Sequence, residues 1–461
     1  MAEDRLTQAV LRKRAEYRRA ERGYRFFEDS YKGGADYVES DNLYMHTFED
    51  GEGFRERKER SYYYNYCAPI VNAYNSFIYR QKIVRDFGKL ADSALFGLFL
   101  GNCDRQGNSY EDFIRGASKW SSVTGIQFIL VDKPGETAAT MKEEMERGIY
   151  PYFVRVPPTN VWDWGLDRWG NLLWAKILET HADEGEFGKD AAGVMRFRVW
   201  YRDRWELYEV EQSGGGRKAR KADEGEHPVG EVPLVPVCHF AEEPMTGFSL
   251  LNDIAYVNRA LYNWCSLLDE ILYRQTFSQL VMPEDPKSPI NDKALGTARG
   301  LGFPPDSRHA PHFISPDASQ ARVLMEQIER GIEEIYRLAT LRGAIGVTEE
   351  SSGVARSYDF MITNNTLSSK ALNMEEAEMK ALRFWAKWQG IQEPGNVVEY
   401  PGEFEVSSLG EEMENILKAA ELGISERFQQ VMKERIVKRM APRLPREDME
   451  RILGEIREAK N

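Results

Sequence analysis

Apolar residues recur at three- and four-residue steps from 249 to 276, through Leu250, Ile254, Val257, Leu261, Trp264, Leu268, Ile271 and Leu272, with no proline or glycine between them. The spacing predicts a helix of roughly 40 Å, at 1.5 Å of rise per residue. Pro283, Pro286 and Pro289 forbid its continuation, and the stretch to Pro316 reads as a compact insert with a strand on either side, 278–282 and 312–314. A second helix, 319–343, then opens with Asp317 as N-cap and Gln320 at capping-box spacing, and Gly343 suits its end. Met325, Ile328, Ile332, Ile335 and Leu338 form its apolar stripe. The other face carries Glu326, Glu329, Arg330, Glu333, Glu334 and Arg337, mixed in sign as on a solvated helix. Residues 344–356, AIGVTEESSGVAR, make a small-residue acidic loop, and helicity resumes from about Ser357 to Trp388. The order suggests the framework of a hollow assembly more than an enzyme.

Upstream, the pattern to Gly33 reads as one amphipathic helix, and 37–60 as a polar, glycine-punctuated loop. A buried helix follows within 62–84, with Pro69 in its first turn. A helix over 110–124 then leads through Gly125 into the apolar strand IQFILVD. Residues 152–240 change character, with β-branched and aromatic runs of strand length separated by turn formers. Within them, 212–228 (QSGGGRKARKADEGEHP) reads as a polar loop whose RKARK cluster is placed to touch nucleic acid or, more simply, to be a solvated hairpin tip. A Pro/Gly linker, 391–409, precedes a charged helical tail, 410–461. The class is therefore α+β, predominantly α-helical.

A chain of 461 residues buries a large core and ordinarily divides into several domains. No apolar run nears the roughly 20 residues that span a bilayer, and the charged N-terminus is no signal peptide, so synthesis inside the cell is expected. Four dispersed cysteines, Cys67, Cys103, Cys238 and Cys265, favour free thiols over a zinc site or a disulfide framework, with Cys265 a buried structural thiol. The net charge of −13 argues against tight grip on nucleic acid, which needs many basic contacts to phosphate. It fits a wall past which DNA slides.

No Walker A loop, GxGxxG after a strand, GxSxG elbow or HExxH helix occurs. His309 and His312 flank Pro311 in the insert, where loop or interface roles outweigh a metal pair. Cys238 and His239 are neighbours in a strand pattern, which sends them to opposite faces. Asp163 and Asp167 (WDWGLD) read as a turn between aromatic strands rather than a cation site. Neither a metal nor a cofactor is expected.

Four segments, YYYNYCAPIVNAYNSFIYRQKI, WSSVTGIQFILVDKP, GFSLLNDIAYVNRALYNWCSLLDEILYRQ and SSGVARSYDFMITNNTLSSKALNMEEAE, resemble in their order and spacing those of tailed-bacteriophage portal proteins. The resemblance covers nearly the whole chain. It implies a wing over 1–247, with its β-rich part at 152–240, continued by a long helix at 357–390. It implies stem helices at 248–276 and 319–343, a clip at 277–318, a tunnel loop at 344–356, a linker at 391–409 and a crown at 410–461. A head-to-tail connector ring, ordinarily a dodecamer, would then sit at the unique capsid vertex of the virion after synthesis in the host cytoplasm. Double-stranded DNA would pass through its channel during packaging and ejection. The partners implied are the terminase large subunit, a head-completion or adaptor protein, and the major capsid and scaffolding proteins, with no membrane and no enzymatic activity of its own.

On that resemblance the channel residues are Val347, Thr348, Glu349, Glu350, Ser351, Ser352 and Gly353, with Glu349 and Glu350 forming an acidic band that repels phosphate. Docking candidates in the clip are Lys287, Lys293, Arg299, Phe303, Arg308 and His309. Helix faces bearing Leu261, Trp264 and Leu268 would be left open in a monomer for neighbours to cover. The readings set against this one are a carboxylate- and metal-dependent nucleic-acid enzyme and a scaffold protein without a channel.

Overall fold

The computed structural model describes residues 2–136, 138–179, 194–213, 216–275, 279–283, 300–303, 312–314, 319–339, 353–402, 404, 434, 437 and 446–458. The chain divides into two compact units, Met1–Phe404 and Glu405–Asn461. The second contributes the amphipathic helix Arg446–Glu458. Everything below concerns the first.

The N-terminal region is two helices rather than one, α1 (Ala2–Leu11) and α2 (Ala15–Lys32). The break falls at RKR because strand β4 (Val161–Leu166) competes for these residues. Arg14 donates its backbone N–H to Trp162 O (2.9 Å) and its guanidinium to Trp164 O (2.6 Å), while Arg12 pairs with buried Asp163 at 2.8 Å. Lys176 donates to the carbonyls of Ala9 and Arg12, satisfying acceptors that the end of α1 leaves open. Its amine is buried and its pKa is lowered to about 8, chiefly by desolvation.

The expected loop at 37–60 contains two short helices, α3 (Gly34–Glu39) and α4 (Gly51–Arg60). Asp50 caps α4 by accepting from Gly53 N at 2.7 Å. Helix α5 (Cys67–Ile78) carries Pro69 in its first turn. Its start is set by Asn258, which accepts from Tyr66 N and donates to Tyr64 O. Helix α7 (Tyr110–Thr124) and strand β2 (Ile126–Asp132) lie as the periodicity predicts, and a further apolar helix, α6 (Ala94–Gly101), precedes them. Gly125 joins α7 to β2 at φ +88°, and a Cβ there would sit 2.3 Å from Gly247 O.

Strand β2 is the middle of a three-stranded antiparallel sheet, between β3 (Tyr152–Val156) and β9 (Leu234–Cys238); helix α8 (Met141–Arg147) links β2 to β3, and a short antiparallel pair, β10 (Phe240–Ala241) and β11 (Gly247–Phe248), follows β9. A five-stranded antiparallel meander runs β4, β5 (Leu172–Glu179), β6 (Met195–Tyr201), β7 (Arg204–Ser213) and β8 (Gly216–Glu226). Strand β8 corrects the loop expected over RKARK. Arg220 lies in register with Glu209 and pairs with it at 2.6 Å, and Lys221 reaches Glu206 (3.1 Å) and Glu224 (2.7 Å). Acidic partners thus take up two of the cluster's cations, Arg220 and Lys221, and buried Ala219 donates its backbone N–H to Thr7 Oγ1. Asp167 closes a turn by accepting from the backbone of Trp169 and Asn171, as expected.

The long helix Gly353–Trp388, called α11 here and following α9 (Ile254–Gln275) and α10 (Ser319–Leu338), crosses the core with its later half. Leu367, Met374, Leu382 and Trp385 are fully buried there. Polar ties fix this half. Glu378, wholly buried, accepts from the Arg85 guanidinium and from the hydroxyls of Tyr110 and Tyr400, both at 2.8 Å. Lys370, also wholly buried, donates to Ser118 O (3.1 Å) and to Ser121 Oγ. Trp385 and Trp388 donate to Pro151 O and Val131 O.

Candidate functional site

The antiparallel pair α9 and α10 carries open apolar surface along both helices. Helix α9 starts at Ile254 rather than Ser249, because Ser249 is engaged elsewhere: its hydroxyl donates to Val123 O (2.5 Å), at the carboxyl end of α7. The two helices touch at Gly331, where a Cβ would meet Leu261 Cδ2 at 2.7 Å. Leu261 is therefore buried in the pair instead of left for a neighbour, and Trp264 and Leu268 are half-buried. The exposed apolar side chains are others, namely Tyr256, Leu272, Tyr273, Val323 and Met325, the last lying off the buried side of the stripe that contains Ile335.

Grooves flank the pair on both sides. On one side a cavity of about 510 Å³ lies among His46, Leu267, Ile271, Val323 and Leu324. A second, of about 630 Å³, continues along Tyr256, Ala260, Trp264, Arg330 and Arg337. On the other side a recess of about 340 Å³ is lined by Tyr62, Tyr64, Leu261, Cys265, Asp269 and Ile332. At about 100° per residue, Leu267 and Ile271 project on roughly the opposite side of α9 from Cys265 and Asp269. Burial raises the pKa of Asp269 and pushes the Cys265 thiol up to about 11, so this cysteine is no nucleophile at neutral pH.

The side groups around the first groove escaped the sequence reading. Phe48 is 93% exposed, with Tyr44 and Met45 beside it also exposed, yet their loop is firmly held. Buried Arg57 takes both oxygens of Glu49 (2.8 and 2.7 Å) together with Tyr44 O and Ser266 Oγ. Asn263 Oδ1 accepts from Tyr44 N at 2.8 Å. The signal available was LYMHTF, three aromatic or sulfur side chains in an otherwise polar stretch.

Between α9 and α10 lies a three-stranded sheet, β12 (Gln279–Pro283) flanked by β13 (Gly300–Phe303) and β14 (His312–Ile314). The strands at each end match expectation. The third, GLGF, was concealed by its two glycines and pairs parallel to β12. Phe303 ends β13 opposite Pro283, and His312 faces Val281 across the ladder. Lys287, Lys293, Arg299, Arg308 and His309 lie outside the described residues, as do Val347, Thr348, Glu349, Glu350, Ser351 and Ser352. Gly353 is not loop but the first residue of α11, so helicity begins four residues before the expected Ser357.

The remaining candidates are accounted for by packing. His239 is wholly buried against Tyr74 and bonded through Nδ1 to Ser122 Oγ at 3.0 Å, while Cys238 turns to the opposite face. Among the described residues, no group of three or more His, Cys, Asp or Glu is placed to hold a metal ion, and no helix is long and apolar enough to cross a membrane.

These elements define a helix-rich α+β protein. No family model matches the chain, and no curated protein matches it. Among solved structures it is similar to a chain of the neck of the native GTA particle computed with C12 symmetry, at 10% identity, 84% coverage of this chain, 89% of that chain and a TM-score of 0.36. It is similar too to a chain of the virion of the native gene transfer agent (GTA) particle, at 11% identity, the same coverages and a TM-score of 0.35.

Proposed function

We propose that this chain is a portal subunit, a structural protein that closes into a ring at one capsid vertex and conducts double-stranded DNA. The observation that carries the reading is the α9–α10 pair with an apolar groove on each of two roughly opposite sides. A two-fold dimer would use one self-complementary patch, whereas two different, opposed patches suit head-to-tail contacts, which close into a ring when the rotation per subunit permits. The succession of segments that resembles portal proteins supports the same reading.

In this reading α9 and α10 are the stem, the β12–β13–β14 sheet is the core of the clip, and 344–352 is the loop that meets DNA. The clip would receive first the terminase large subunit and then an adaptor, through Lys287, Lys293, Arg299, Phe303, Arg308 and His309. Glu349 and Glu350, repeated around a ring, would hold phosphate at a distance and leave DNA free to slide. Removing Val347 to Ser352 is expected to leave ring assembly intact and to reduce packaged or retained DNA, measured as DNA per particle. Loss of rings in that deletion would make the loop an interface element, and normal packaging would remove it from the channel.

A further inference from the structure

The two sides of the helix pair differ in shape as well as position. One carries a knob, Phe48 with Met45, standing out from the loop that Arg57 and Glu49 hold rigid. The other carries the recess between Tyr64 and Ile332, floored by Leu261 and Cys265. Its volume of about 340 Å³ exceeds the roughly 150 Å³ that suffices to take a benzene ring in an apolar cavity. Knob and recess also lie at one level along α9. The knob's loop is tied to Asn263 and adjoins Leu267 and Ile271, while the recess spans Leu261 to Asp269. A rotation about an axis parallel to the helix pair preserves level, so it can bring the knob of one copy to the recess of the next.

The polar groups agree with this pairing. Asp269 has no hydrogen-bond or ion-pair partner among the described residues, although burial in the recess already disfavours its charge. His46, beside Phe48 with ring centroids 5.8 Å apart, accepts from Phe48 N through Nδ1, which leaves its proton on Nε2 as a free donor. A carboxylate that lacks a donor on one side is matched by a donor on the other. A rigid aromatic knob also loses little conformational freedom on docking, which suits it to anchor an interface.

We propose that Phe48 of one subunit seats in the Tyr62–Tyr64 recess of the next copy of this chain, with His46 Nε2–H donating to Asp269. The contact rests on the ring reading above and specifies which surfaces meet.

The test is the full-length double variant Phe48→Cys/Tyr64→Cys under mild oxidation. Both positions are exposed, so neither substitution disturbs the core. The expected result is a reducible ladder of covalent dimers, trimers and higher multiples that neither single variant gives. Alongside it, Phe48→Ala should raise the concentration needed for half-assembly by about ten-fold or more, as removal of a central aromatic anchor does, with Phe48→Trp largely restoring it. Rings that form normally in Phe48→Ala, with no ladder in the double variant, overturn this contact while leaving the ring reading in place. A wild-type chain that stays monomeric overturns both.

Discussion

Replacing Glu378 with alanine is expected to cost the Met1–Phe404 unit about 3–5 kcal/mol, the range found when one partner of a buried ion pair is removed. The carboxylate is wholly buried and holds three donors at once, the Arg85 guanidinium and the hydroxyls of Tyr110 and Tyr400. Those donors come from β1 (Val84–Asp86), from α7 and from the segment just after β15 (Val397–Glu399), which pairs with β1. Removing the acceptor leaves a guanidinium whose side chain is only 12% exposed without a counter-charge, and two hydroxyls without acceptors. Tyr400→Phe, by contrast, deletes one donor and spares the ion pair, so about 1 kcal/mol is expected. Thermal denaturation of the two variants reads the contrast, and equal effects would mean that Arg85 finds another partner.

The second large effect concerns Lys370. Its amine is wholly buried among Ser118, Ser121 and the neighbouring Cys238 and His239, with no carboxylate bonded to it among the described residues, and desolvation lowers its pKa to about 7 from an ordinary 10.5. An unfolded chain therefore binds this proton more tightly than the folded one between pH 7 and 10.5. Stability from this group rises with pH across that window and is at its lowest below pH 7. Lys370→Met is expected to stabilise the protein by more than about 1 kcal/mol at pH 7, with the difference from wild type shrinking toward pH 10.5. His239, whose pKa burial drives well below 6.5, adds a further loss of stability in wild type below about pH 6.5. A pH-independent difference between Lys370→Met and wild type would show that the amine stays charged when buried.

How much of this was legible in the sequence depended on whether a segment's partners were local. Helix α7 and strand β2 were readable to the residue, since Ser109 caps one end and Gly125 punctuates the other. The α9–α10 pair showed in its spacing, but the start of α9 did not, because Ser249 is claimed by carbonyls more than a hundred residues away. The RKR break between α1 and α2 depends on β4 in the same way. RKARK looked like a solvated tip because a one-dimensional reading cannot see Glu206 and Glu209 across the ladder. At the candidate site, the grooves follow from apolar spacing on two helices. The knob at Phe48 does not, since its rigidity comes from a buried arginine whose own partners lie partly in the loop itself and partly on α9, more than two hundred residues away.

The central claim is that this chain closes into a ring around an opening. Native mass spectrometry of the purified full-length protein, with negative-stain images of the same sample, tests it most directly. The expected result is a single closed oligomer, a dodecamer on the portal reading, with a central channel in end-on views. A protein that remains monomeric at high concentration, or that forms assemblies with no central opening, would contradict it.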